Sequence, residues 1–128
     1  MKVLLDTHAF LWAIDQPSLL SQAARDAIED PANKLCLSVA SLWEIALKRQ
    51  AGKLELAATE EFFRAHMGQL GITEVLAVQP RHVYALLKLP PLHKDPFDRL
   101  LVTQCQVEGL VIVTRDRSIA QYGVTTVW

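Results

Sequence analysis

Apolar positions along the chain fall into two patterns. Short solid runs, Val3-Leu4-Leu5, Leu35-Cys36-Leu37 and Leu110-Val111-Ile112-Val113, read as strands buried on both faces. Between them, apolar residues recur at helical spacing. Ser18 reads as an N-cap for Leu19, Leu20, Ala23, Ala24, Ala27 and Ile28, and Pro31 stops that helix. Another helix runs from about Ser41 to Gln50 and closes at Gly52. Thr59, Glu60 and Glu61 open the next, which ends near Gly68 or Gly71. Ile72 to Val78 predicts a further strand. Pro80 suits the first turn of a helix through Leu87, and Pro90-Pro91 breaks it. Asp95-Pro96 opens a helix that ends at Gly109. A short helix near Ser118 to Gln121 and a strand from Val124 to Val127 complete the chain. Phe10, Leu11, Trp12 and Ile14 form an apolar stretch read as core, without an element assigned to it.

Strands of this kind alternating with helices imply a parallel sheet covered on both faces, a small α/β sandwich. In such sheets ligands bind beyond the carboxyl ends of the strands, near the switch in strand order. That rule selects the acids that matter. Asp6 directly follows the first strand, and Asp116 lies just past the strand Leu110 to Val113, after Thr114-Arg115. Glu44 falls in the first turn of the helix after the second strand. Asp95 and Asp98 open the helix before the fourth strand, and they reach the same edge only if the topology brings that helix back to it.

Each acid taken singly has an ordinary alternative. Ser41-Leu42-Trp43-Glu44 fits a capping box. Asp95 before Pro96 is a good N-cap, Asp98 is favoured by the helix dipole, and Asp116 could cap the short helix after it. Asp6 is harder to dismiss, since a carboxylate ending a buried strand is costly unless compensated. Four carboxylates at one edge would repel one another, raise each other's pKa or recruit a cation. A hard divalent ion with oxygen ligands, Mg²⁺ or Mn²⁺, answers that need and can activate water against a phosphodiester. Few histidines lie near these acids, which argues against zinc.

Composition narrows the rest. The chain has 128 residues, 51% hydrophobic and 21% charged, which suits one globular domain over 1–128 and excludes disorder or a fibrous repeat. Thirteen basic residues against 14 acidic ones leave a formal charge of −1, so a wholly basic nucleic-acid binder is excluded but a local basic rim is not. Asp6 cuts the first apolar run, so no signal peptide is read. No run approaches a membrane span, and the expected location is cytoplasmic. The two cysteines, Cys36 and Cys105, form no Cys-x-x-Cys pair and read as free buried thiols.

Four motifs, in order, resemble those of the PIN-domain ribonucleases, specifically the VapC-type toxins of type II toxin–antitoxin pairs. They are Leu4-Leu5-Asp6-Thr7-His8, Ser41-Leu42-Trp43-Glu44-Ile45, His93-Lys94-Asp95-Pro96-Phe97-Asp98-Arg99-Leu100-Leu101 and Val113-Thr114-Arg115-Asp116. The resemblance covers essentially the whole chain. It implies a PIN-like three-layer α/β/α sandwich around a central, mainly parallel five-stranded sheet. It also implies an acidic quartet, carried here by Asp6, Glu44, Asp98 and Asp116, which binds Mg²⁺ or Mn²⁺ and cuts RNA to leave a 3′-hydroxyl and a 5′-phosphate. Asp98 is preferred over Asp95 as the third acid, with Asp95, one helical turn earlier, as an additional or water-mediated ligand. A homodimer and a cognate antitoxin that silences the site are implied as partners.

Several other readings follow from the residues. Thr7 and Thr114 either orient the carboxylates or make ordinary strand-end hydrogen bonds. Arg99 and Arg115 are the preferred contacts for RNA phosphates, ahead of Arg117, His93, Lys94, Lys48, Arg49 and Lys53. Exposure of Trp12 or Trp43 would mark a partner groove. No second acid follows Asp6 at the spacing of phosphoaspartyl enzymes, and no phosphate-binding glycine loop exists. The competing reading is a catalytically silent PIN-like module that binds RNA or a protein partner.

Overall fold

A computed structural model describes residues 1–128. Five strands, β1 (Lys2–Leu5), β2 (Lys34–Ser38), β3 (Ile72–Leu76), β4 (Val111–Val113) and β5 (Thr126–Val127), form one sheet in the order β3-β2-β1-β4-β5. Every pairing is parallel, so the sheet is wholly rather than mainly so. Seven helices cover it: α1 (Thr7–Asp15), α2 (Gln22–Glu29), α3 (Val39–Gln50), α4 (Glu60–Leu70), α5 (Pro80–Leu86), α6 (Pro96–Glu108) and α7 (Arg117–Ala120). None is long and apolar enough to cross a membrane.

The solid apolar runs produce three layers because alternate side chains of a strand point to opposite faces. Val3, Leu5, Leu35, Leu37 and Val113 pack with Phe10 of α1, Ala24 and Ile28 of α2 and Ile45 of α3. Leu4, Cys36 and Ile112 pack on the other side with Leu101, Val102 and Cys105 of α6 and Ile119 of α7. Both thiols are free and buried, as expected, and burial pushes Cys36 up to about 11 and Cys105 up to about 12. Phe10 is fully buried, with Phe63 of α4 stacked 6.5 Å away between centroids. Phe10→Ala should therefore destabilise the fold by roughly 3–5 kcal/mol, measured by urea unfolding, because the packed core around it cannot fully collapse into the void.

Two strands are shorter than the sequence reading, β3 stopping at Leu76 rather than Val78 and β5 starting at Thr126 rather than Val124, and three helix starts differ for local reasons. The stretch around Phe10 is helical: Asp6 adopts extended backbone and its Oδ1 accepts the Ala9 N–H at 2.7 Å, so α1 begins one residue after β1 ends. The N-cap of α2 is Ser21 rather than Ser18, because Pro17–Leu19 forms a separate 3₁₀ turn. The N-cap of α3 is Ser38, whose hydroxyl accepts the Ala40 N–H at 3.0 Å. Ser41 thus lies inside α3, and Glu44 is released from any capping box.

The strand order positions the acids. The chain moves outward from β1 to β2 and β3, then returns across β1 to β4, so the switch falls between β1 and β4. Asp6 and Asp116 follow those two strands. Helix α6 feeds β4 through Gly109, whose φ of 67° allows the sharp reversal that a side chain would resist. It must therefore run antiparallel to β4, which brings its first turn, with Asp95 and Asp98, back to the carboxyl edge.

Candidate active site

Four of the five carboxylates at that edge have anchors of their own. Asp6 is buried; besides the Ala9 N–H on Oδ1, its Oδ2 accepts the Thr114 hydroxyl at 2.5 Å. The same Thr114 oxygen accepts the Asp116 backbone N–H at 3.0 Å, so one hydroxyl ties the end of β1 to the loop after β4. Asp116 is exposed and caps α7 through Ser118 N–H at 2.8 Å. Asp95 caps α6, its Oδ1 accepting from Phe97 and Asp98 N–H at 2.9 and 3.0 Å. Glu44 is buried; Lys48, one turn on, holds Oε2 at 2.6 Å, while Oε1 is buried with no partner at all.

Asp98 feels three of the other acids, and Asp6 feels Asp116. Burial pushes Asp98 up to about 8, with repulsion from Asp95, Asp116 and Glu44 adding to it, and a hydrogen bond to Asp116 open only to the protonated form. Burial raises Asp6 too, opposed by Thr114, the Ala9 N–H and His8, and reinforced by Asp116. Asp6, His8, Trp12, Arg115 and Asp116 line a cavity of about 200 Å³. A larger cavity, of about 910 Å³, opens at the opposite edge beside Lys34 and Gly71 and contains none of these acids.

A sequence profile of the PIN domain matches residues 3–124. The chain belongs to the PIN domain family. It is 31% identical over 134 residues to Ribonuclease VapC22 of Mycobacterium tuberculosis, spanning 98% of each chain. Among solved structures it is similar to VapBC2 from Rickettsia felis bound to a promoter DNA fragment, with a TM-score of 0.71 at 16% identity over 98% of this chain and 97% of that one. VapBC-1 from nontypeable Haemophilus influenzae gives a TM-score of 0.66 at 16% identity over 98% and 96%. At that identity the structural likeness speaks for the fold.

The donor set of this PIN domain fits a hard divalent ion. All its donors are carboxylate oxygens, one of them a buried, unpartnered Glu44 Oε1, and Asp98 holds a raised pKa that a nearby cation would lower. No three of the acids stand at the spacing of a closed cage. Asp6, Asp95, Asp116 and Glu44 each meet a donor of the protein instead: the Ala9 N–H and Thr114 hydroxyl, the Phe97 and Asp98 N–H groups, the Ser118 N–H and the Lys48 ammonium.

Among the other sequence candidates, with two readings open for each threonine, Thr114 donates to Asp6, whereas Thr7 donates to Ser41 Oγ at 3.0 Å and ties α1 to α3. Arg99 does not reach outward to a phosphate. Its guanidinium donates to the Pro90 carbonyl at 3.0 Å and the Tyr122 hydroxyl at 2.9 Å, clamping the loop before α6. Arg115 and Arg117 are exposed. Two participants carried no sequence signal. His8 joins the Asp6 cavity because it sits in the first turn of α1, a turn the apolar pattern hides. Tyr122 meets His93 across 29 residues, a contact only the packing of α6 against α7 creates.

Proposed function

We propose that this PIN domain is a metal-dependent endoribonuclease of the VapC toxin type, hydrolysing RNA phosphodiesters and held inactive by a cognate antitoxin. The carrying observation is Asp98 at the switch point, its carboxyl raised by burial and by repulsion from Asp95, Asp116 and Glu44, beside a buried Glu44 oxygen with no protein partner. Such a cluster is stable only when protonated or matched by a cation. Family membership and the 31% identity to a VapC ribonuclease support the same reading.

Asp6, Asp98 and Asp116 would hold Mg²⁺ or Mn²⁺, with Glu44 binding directly or through water and Asp95 an outer contributor. The cation would supply Lewis-acid chemistry, lowering the pKa of a water and offsetting charge on the phosphoryl oxygen. Thr114 keeps Asp6 in one rotamer, and Lys48 neutralises one Glu44 oxygen so the other stays available. Arg115 and Arg117, exposed beside Asp116, are the basic groups placed to meet an RNA backbone.

Protein partners have a surface to use. Val39, Trp43 and Leu47 recur every fourth residue on α3, all exposed, Trp43 by 58% with its ring edge-on to Phe97 at 5.1 Å. An aromatic anchor in an apolar stripe suits a protein interface, either a second copy or an antitoxin. The antitoxin assignment leans on the likeness to VapBC assemblies.

The test is cleavage of a panel of single-stranded and hairpin RNAs by purified, antitoxin-free protein. Cleavage with Mg²⁺ or Mn²⁺ and none after chelation is the expected result. RNA binding without cleavage under every metal condition would favour the silent module instead.

A further inference from the structure

The hydroxyl of Tyr122 has one hydrogen to donate and two lone pairs to accept with. Arg99 Nη1 donates to it at 2.9 Å and the His93 backbone N–H at 3.2 Å, so both lone pairs are engaged by groups that can only donate. Its own hydrogen is left for the one remaining neighbour, His93 Nδ1, at 2.7 Å. Nδ1 is therefore an acceptor, and a neutral His93 carries its proton on Nε2.

That Nε2 is buried and has no hydrogen-bond partner. The acceptor it faces is Asp98 Oδ2, at 3.6 Å, and both side chains are largely out of solvent, 14% and 18% exposed. At 3.6 Å the contact is not yet a hydrogen bond; closing by roughly half an ångström would make it one. The ring cannot swing elsewhere to satisfy itself. The His93 backbone carbonyl and that of Pro90 receive the Arg99 guanidinium at 3.4 and 3.0 Å, and the imidazole lies tilted against Tyr122 with centroids 5.3 Å apart.

We propose that His93 is a positioning residue for Asp98: Arg99 and Tyr122 lock the imidazole in the Nε2–H tautomer, which holds Oδ2 and leaves the other carboxylate oxygen to a divalent cation. The inference rests on Asp98 being a metal ligand, and it assigns His93 to the protein's own scaffold rather than to RNA. A His93 that served only the Tyr122 contact would keep the same tautomer but would leave metal affinity unchanged beyond its effect on stability.

Two measurements on the full chain test it. Nitrogen-15 NMR of the metal-free protein, read on the neutral ring, should find His93 protonated at Nε2, and Tyr122→Phe should erode that preference. An Nδ1–H tautomer in the wild type overturns the proposal. Mn²⁺ binding by calorimetry then compares wild type, His93→Leu, His93→Gln and Asp98→Asn. His93→Leu should weaken Mn²⁺ roughly 10–100-fold, as loss of a group orienting a ligand does. His93→Gln, whose amide N–H falls near the Nε2 position, should stay within about threefold of wild type. Equal affinities for His93→Leu and wild type, with Asp98→Asn abolishing binding, would remove the role of His93 alone. Unchanged binding by Asp98→Asn would remove the ligand assignment beneath it, and the proposal with it.

Discussion

Asp6→Asn should lower metal-dependent RNA cleavage by about a thousandfold or more, near 4 kcal/mol of transition-state stabilisation, while leaving the fold intact. The amide keeps the shape of the carboxylate. Its oxygen can still accept the Ala9 N–H, and its NH₂ can donate to Thr114 Oγ1 where the acid accepted. What disappears is a buried negative charge, already disfavoured by its surroundings. Circular dichroism and the melting temperature should therefore match or slightly exceed wild type. Cleavage at the wild-type rate would overturn the ligand set. The companion comparison is Asp98→Asn against Asp95→Asn. Asn is as good an N-cap as Asp, so Asp95→Asn should leave α6 stable and cost less than tenfold in rate. Asp98→Asn should cost more than a hundredfold; the reverse order would move the third ligand to Asp95.

Without metal, the protein should lose stability as pH rises from about 4 to 8. Asp98 has a folded pKa of about 8, well above its value of about 3.9 in an unfolded chain. Below the lower value both states are protonated and nothing is lost. Between the two, the unfolded chain releases a proton the folded chain retains, so each step up in pH favours unfolding; above about 8 both are ionised and the loss levels off. Asp6 shifts in the same direction and adds to the trend. The carboxylates titrate as a coupled group, which makes the total the measurable quantity, roughly 2–4 kcal/mol by urea unfolding. Asp98→Asn should flatten the profile and exceed wild type in stability at pH 8. Saturating Mn²⁺ should invert that ranking, since a cation that binds the folded ionised cluster stabilises only the chain that carries it. A wild-type profile that rises over this range would contradict the account of the cluster.

The amino-acid sequence alone determined the class of fold and the strand-end placement of two of the four candidate acids. Val3-Leu4-Leu5 and Leu110 to Val113 are apolar on every residue, which only a strand covered on both faces tolerates, so a parallel sheet with flanking helices follows from local pattern. Asp6 and Asp116 stand next to those runs, and adjacency in the chain puts them at strand ends whatever the rest does. Helix α1 escaped because its residues are apolar around much of the cylinder, leaving no period to read, and it is held by Asp6 rather than by an obvious cap.

Tertiary structure decided the rest. Glu44 looked like half of a capping box until Ser38 proved to start α3, three residues before Ser41, which turned the glutamate inward as an acid with one free oxygen. Asp98 reached the site only because the sheet is wholly parallel and α6 must run back along β4. Arg99 became a clamp instead of a phosphate contact, and His93 gained a defined tautomer, because Tyr122 arrives from beyond β4. The physical reason is common to all of these: a side chain's local propensity is set by its neighbours in sequence, but its charge state and hydrogen-bond partners are set by whichever distant groups share its burial.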